Sequence, residues 1–240
     1  MVLRKLFGGK FKKPQKKYGG IIESLELEEF WVSLLPDERE FIRECYASSL
    51  GGPNPKHLDN PRVETSTTQS VSGFLSNYAG WAISKKRYEL SDKLLQEAKR
   101  RNKNAVDLHF TYNSLINLCY KQRNKGPEWI ERCINHCLDD IKIFPEFKKE
   151  YLEEEKARNL KIANSPFTNK RERKKHLKEA ESVTFNLFVP SFQRLSIIYE
   201  NQGKYLEAIE VCKLALSYGL IDNTKGGFES RIEKLKKKMS

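Results

Sequence analysis

The sequence has no long hydrophobic run. Its most apolar stretches, such as Phe30-Trp31-Val32-Ser33-Leu34-Leu35, fall far short of the ~20 residues a spanning helix needs, so the 240-residue chain is not expected to cross a bilayer. Cysteine is sparse, and its count is odd. Five cysteines in no regular spacing exclude a secreted disulfide framework and suit free thiols in a reducing cytoplasm. Histidine is scarcer still. His57, His109, His136 and His176 belong to different predicted elements, and no strand-turn-helix context surrounds a nucleophile motif. The glycine pairs Gly8-Gly9, Gly19-Gly20, Gly51-Gly52 and Gly226-Gly227 lack the spacings of phosphate-binding loops. The chain is therefore read as non-enzymatic, with no cofactor.

Acidic side chains are missing from residues 1–17, which hold Arg4, Lys5, Lys10, Lys12, Lys13, Lys16 and Lys17. The net charge is +12, but the remaining 223 residues carry 37 basic against 32 acidic side chains. The excess thus sits mainly on an N-terminal arm, residues 1–20, expected to be flexible because it contains two glycine pairs. Its unopposed cations, interleaved with Phe7, Phe11 and Tyr18, make it the candidate for binding nucleic acid or an anionic membrane surface. The arm has neither the apolar centre of a secretory signal nor a glycine after Met1 for myristoylation.

Beyond the arm, residues 21–50 read as a helical segment, with helices over 24–35 and 37–50 separated by Pro36. Residues 51–70, rich in Pro, Asn, Ser and Thr, read as a loop or linker. From 71 to 240 the chain is expected to be almost wholly helical, with helices at 71–86, 88–101, 106–123, 127–143, 145–163, 170–186, 190–202, 205–218 and 226–239. Val183 to Val189 has strand-like composition but no visible partner, and is read as a helix end. The charged share, 32%, exceeds the roughly one-quarter of ordinary soluble proteins, so the core must be thin.

Periodicity carries the main reading. In Pro190 to Leu220, Phe192, Leu195, Ser196 and Tyr199 share one helical face, Gly203 makes a turn, and Tyr205, Ala208, Cys212 and Ala215 share a face of a second helix. Large groups on the first helix fill space left by Ser196, Ala208 and Ala215, where two antiparallel helices approach closely. This unit resembles a tetratricopeptide repeat (TPR). The spacing recurs in Leu75, Tyr78, Ala79 and Ala82, then Tyr88, Ser91, Leu95 and Ala98, with Lys86 where the family has Gly. A third unit through Ile116, Tyr120, Ile130, Cys133, Cys137 and Asp140 fits with an insertion near Arg123 to Gly126. The wording around "FTYNSLINLCYKQR" and "LSIIYENQGKYLEAIEVCKLAL" also resembles TPR-type bacterial or phage-borne proteins of unassigned function. Phe228, Ile232, Leu235 and Met239 give the last helix one apolar face, as the capped end of a stacked array requires.

The resemblance implies an all-α fold: a TPR-like array of helical hairpins, a right-handed α-solenoid, with an N-terminal helical segment. It implies a protein-interaction scaffold that holds a partner's peptide or helix on its concave surface. Asn77, Ser84, Asn113, Asn117 and Gln193 are the candidate contact residues. The Lys, Asn and Arg clamp by which some TPR domains grip a C-terminal carboxylate is not expected, since only Asn77 fits it. Cys133, His136 and Cys137 share one helical face, with His109 or Cys119 as the available fourth ligand. The two cysteines fall at interior repeat positions, so they are read as core residues and not as zinc ligands. The run Lys170-Arg171-Glu172-Arg173-Lys174-Lys175 is read as a solvated helix start, with a polyanion contact as the alternative.

Overall fold

The structure, a computed structural model, describes residues 17–49 and 54–239. Among these residues it is all-helical and contains no strand. The chain divides between Ser70 and Val71 into two compact units. The first contains α1 (Gly20–Ser24), α2 (Glu28–Ser33), α3 (Pro36–Ala47) and α4 (Lys56–Asp59).

The helix expected over 24–35 is two short helices instead, because the chain reverses at Glu26, whose φ is +54°. Leu27 is thereby buried along with Ile22 and Trp31. Arg39 then caps α2 from α3, donating to the carbonyls of Trp31 at 3.1 Å and Leu34 at 2.6 Å. The stretch read as a linker packs within this unit. Leu58 of α4 is fully buried, and Asp59 accepts from Trp31 Nε1 at 3.1 Å and from Arg43 Nη2 at 2.7 Å. Gly19 and Gly20 belong to this packing and not to a loose arm. Gly20 has φ +60°, its N–H donates to Val63 O at 2.8 Å, and a Cβ there would collide with the His57 carbonyl.

The second unit contains α5 (Val71–Ser84), α6 (Tyr88–Arg101), α7 (Ala105–Gln122), α8 (Pro127–Ala163), α9 (Lys170–Glu181), α10 (Pro190–Asn201), α11 (Tyr205–Ser217) and α12 (Gly227–Met239). Consecutive helices pack as pairs: α5 on α6, α7 on α8, α10 on α11, and α12 on α11. The small seam residues are inside. Ala79, Ala82, Ser91, Ala98, Ser196, Ala208 and Ala215 are all fully buried, so the helices meet backbone to backbone there. The turns of the α5–α6 and α10–α11 pairs match. The Arg87 and Lys204 N–H groups reach back to Ala82 O at 2.8 Å and Tyr199 O at 2.9 Å, and the φ/ψ values at Arg87 (−85°, 65°) and Lys204 (−84°, 65°) nearly coincide.

Two expectations fail in the middle of this unit. Helix α8 runs unbroken through Pro145, where two helices were expected. A proline inside a helix costs about 3 kcal/mol, but its neighbours Phe144 and Phe147 are both fully buried, and each large apolar side chain contributes about 1.5–3 kcal/mol. Helix α9 ends at Glu181, so the segment from Val183 to Val189 has no regular secondary structure and is not the end of a helix. Phe185 is drawn into a ring cluster, lying 5.5 Å from Phe144, 5.7 Å from Phe147 and 5.7 Å from Tyr151 between centroids. Pro190 also biases Val189 away from the helical region, and its φ/ψ is −111°, 98°. On α12, Phe228, Ile232 and Leu235 are buried, whereas Met239 at the helix end is exposed.

Candidate functional site

Helix α6 packs against both α5 and α7, and α5 and α7 also touch each other. The faces of α5 and α7 that point away from α6 are therefore neighbours. On α5 that face carries Asn77, Gly80, Trp81 and Ser84, spaced at three, one and three residues, and all are exposed. On α7 it carries Phe110, Ser114 and Asn117, with Phe110 45% exposed. Ser76 Oγ meets Thr111 Oγ1 at 3.3 Å and fixes the register of the two helices. Asn77 and Phe110 then lie near one level, and Trp81 and Asn117 near the next. A Cβ at Gly80 would meet nothing within 4 Å, so the face is open at its middle. The aromatic residues Trp81 and Phe110 were missed as candidates, although i, i+4 spacing from Asn77 to Trp81 marks the same face.

The other two candidates are differently placed. Asn113 turns partly inward, its Nδ2 3.0 Å from His109 Nε2. Gln193 donates from Nε2 to Asp222 Oδ1 at 2.5 Å, and Asp222 also accepts from Arg231 Nε at 2.9 Å and from the Thr224 N–H at 3.0 Å. Burial alone would push the Asp222 carboxyl up, but these donors more than offset it and hold it below the usual carboxylate range. Gln193 is thus tied into a buried network. Of the cationic candidates, Lys17 is exposed, while Arg4, Lys5, Lys10, Lys12, Lys13 and Lys16 lie outside the described residues.

His109 forms a buried pair with Asp140, Nδ1 to Oδ1 at 2.7 Å. This resembles half of a catalytic relay, but both ends are closed. Asn113 occupies Nε2, Phe147 stacks on the ring at 3.7 Å between centroids, and His109 is only 1% exposed. With Nε2 covered, the imidazole has no path to a substrate proton in this arrangement. Asn113 Oδ1 and Asp140 Oδ2 are buried without a hydrogen-bond partner.

Cys133, His136 and Cys137 share one side of α8 but do not converge on a common point with a fourth ligand. His109 is taken by Asp140, and among the described residues no group of three or more His, Cys, Asp or Glu side chains is arranged to hold a metal ion. All five cysteines are buried free thiols. Burial pushes the Cys119 thiol up to about 12 and that of Cys212 up to about 11, which keeps both protonated and unreactive. Burial, with Lys99 and Arg132 nearby, lowers His136 to about 4, and neither of its ring nitrogens has a partner.

Comparison with known proteins adds a relative but no family. No family model matches the sequence, and no solved structure matches it. The chain is similar to an uncharacterized protein of Aquifex aeolicus (strain VF5), with 26% identity over 140 residues that cover 56% of this chain and 66% of that protein. The match therefore spans slightly less than two thirds of the relative's length. Among the described residues, no helix is long and apolar enough to cross a membrane.

Proposed function

We propose that this protein is a non-catalytic interaction scaffold: a TPR-like, right-handed array of helical hairpins whose α5–α7 face holds a peptide or helix of a partner protein. The observation that carries the reading is the grouping of exposed Trp81 and Phe110 with Asn77, Ser84 and Asn117 on one face. Large aromatics with two rotatable side-chain bonds anchor interfaces at low entropic cost, and adjacent amides and hydroxyls supply orientation. Support for the array comes from the matched turns of α5–α6 and α10–α11 and from the small residues buried at both seams. Five buried free thiols fit a reducing compartment such as the cytoplasm.

Site-specific photocrosslinking in the native host tests the reading. A photoreactive residue at Ser84 or Asn117 should trap a defined partner, and one at the exposed Leu206 of α11 should not. Replacing Trp81 and Phe110 together by alanine should abolish the crosslink while leaving helix content unchanged. Equal trapping from both positions, or a crosslink indifferent to the two aromatics, would reject this face. A second reading, polyanion binding through the acid-free residues 1–17, predicts affinity that falls steeply with salt and disappears when those residues are deleted.

A further inference from the structure

The second concentration of charge lies far along the chain from residues 1–17. Residues 160–178, the tip of the α8–α9 hairpin, hold seven Lys and Arg side chains against one acid, Glu172. Outside this tip and residues 1–17, 30 basic side chains face 31 acidic ones, so the rest of the protein is close to neutral. Lys161, Lys170, Arg171, Lys174 and Lys178 are exposed, and among the described residues none has a carboxylate partner. Helix α9 has α8 as its packing partner, and no residue from Lys148 to Ile162 is fully buried.

The cations at the start of α9 sit where they work against the helix. Lys170 and Arg171 occupy the first turn of α9, the positive end of its dipole. Lys170 and Lys174, Arg171 and Lys175, and Lys174 and Lys178 are like charges four residues apart. Glu179 lies 3.7 Å from Lys175 and offsets that charge, but Lys170, Arg171 and Lys174 have no carboxylate partner among the described residues, which marks a surface shaped for something outside the protein.

Apolar groups share the tip. Phe167, in the loop between the helices, is 95% exposed, and Leu160, Ile162 and Leu177 are exposed beside the cations. The loop is nevertheless firmly tied. Thr168 Oγ1 donates to Ile162 O at 2.6 Å, Arg173 Nε donates to Ala163 O at 3.0 Å, and the Asn169 side chain caps α9 by accepting from the Glu172 N–H at 2.9 Å. A pinned loop therefore holds a phenyl ring out into water.

From this we infer that the α8–α9 tip is a membrane-docking element, with Phe167 inserting at the headgroup boundary of an anionic bilayer while the surrounding cations engage lipid headgroups. Nucleic acid would use the cations and one stacking ring, but offers no environment for Leu160, Ile162 and Leu177; a bilayer interface accommodates both sets. The geometry suits contact with a lipid surface and not passage through it.

The test is vesicle binding by the full chain, comparing pure phosphatidylcholine with phosphatidylcholine containing roughly one-third phosphatidylglycerol. Wild type should bind only the anionic vesicles. Each cation near the surface contributes roughly fivefold in affinity, so Lys170→Glu, Arg171→Glu and Lys174→Glu combined should weaken binding by at least about a hundredfold. That variant is expected to fold, because it removes the unfavourable charges from the start of α9. Phe167→Ala should cost about tenfold, and Phe167→Trp should give a blue-shifted emission on anionic vesicles that wild type lacks. Unchanged binding in both the triple and alanine variants would overturn the proposal and leave residues 1–17 as the lipid contact. An unshifted Phe167→Trp spectrum, or duplex DNA displacing the vesicles and binding the tip more tightly at the same salt, would overturn it in favour of nucleic acid.

Discussion

Lys86 and Gly203 hold the same left-handed backbone conformation at corresponding turns, with φ of +60° and +73°. Only the glycine does so without strain. A non-glycine residue in this region costs roughly 1–2 kcal/mol, part of which a glycine forfeits through its greater freedom when unfolded. Lys86→Gly should therefore stabilise the protein by roughly 0.5–1 kcal/mol, seen as a higher urea midpoint with an unchanged slope. The reciprocal change isolates the backbone term, because a Cβ at Gly203 would meet nothing within 4 Å. Gly203→Ala should then cost about 1 kcal/mol with no steric component. Opposite signs for the two substitutions are required; the same sign for both would mean that the turns are not equivalent.

Asp222 ties its own loop to two helices through its hydrogen bonds to Gln193 of α10 and Arg231 of α12, and it also accepts from the Thr224 N–H. Its side chain is fully buried, and that of Arg231 is 13% exposed. Replacing Asp222 by alanine leaves the guanidinium without its main counter-charge, at an expected cost of about 3 kcal/mol. Arg231 also lies 3.6 Å from Glu200, which limits the loss. Denaturation of Asp222→Ala, Arg231→Met and the double variant gives the coupling directly. The double variant should be less unstable than the sum of the singles, and simple additivity would show that the pair is not energetically linked.

The legible parts of the fold were those that depend on short-range periodicity. The faces through Phe192, Leu195 and Ser196, and through Ala208, Cys212 and Ala215, are buried as the three-and-four spacing predicted. Lys86 hid its turn from a glycine search, yet the spacing on either side located the hairpin. Pro145 misled because local propensity argues for a break, whereas the burial of Phe144 and Phe147 that offsets it depends on distant partners such as Phe185 and Phe192. The non-helical segment around Phe185 and the packing of α4 beneath Gly19 and Gly20 were illegible for the same reason. At the candidate face, helical spacing grouped Asn77 and Ser84, but it could not reveal that Gln193 is tied to Asp222 or that Asn113 leans on His109.

Ala208 tests the close approach of α10 and α11. It is fully buried, and Ser196 and Ala215 are equally enclosed on the same hairpin. Ala208→Leu adds three carbons where no space exists, and overpacking of this kind costs about 1–3 kcal/mol. Hydrogen exchange should show faster opening of α10, α11 and α12 than of α5 and α6, since the damage is local to that seam. If Ala208→Leu were as stable as wild type, the two helices would not be packed at the separation that undersized residues permit.

His136 makes folding stability depend on pH between neutrality and mild acid. Its ring is 9% exposed, both nitrogens lack partners, and burial with nearby Lys99 and Arg132 lowers it to about 4 from an ordinary 6.5. Asp139 and Asp92 oppose that shift without cancelling it. Because the folded value lies below the unfolded one, the unfolded chain binds the extra proton first. Stability is then intact above pH 6.5 and declines as pH falls toward and below 4, by about 3 kcal/mol in all. His136→Leu removes the titrating group and the two orphaned nitrogens together. Its unfolding free energy should vary less across this window than that of wild type, and it should match or exceed wild type at neutral pH. Urea titrations at several pH values measure both differences, and parallel pH profiles for the two proteins would show that His136 is protonated as readily in the folded state as in the unfolded one.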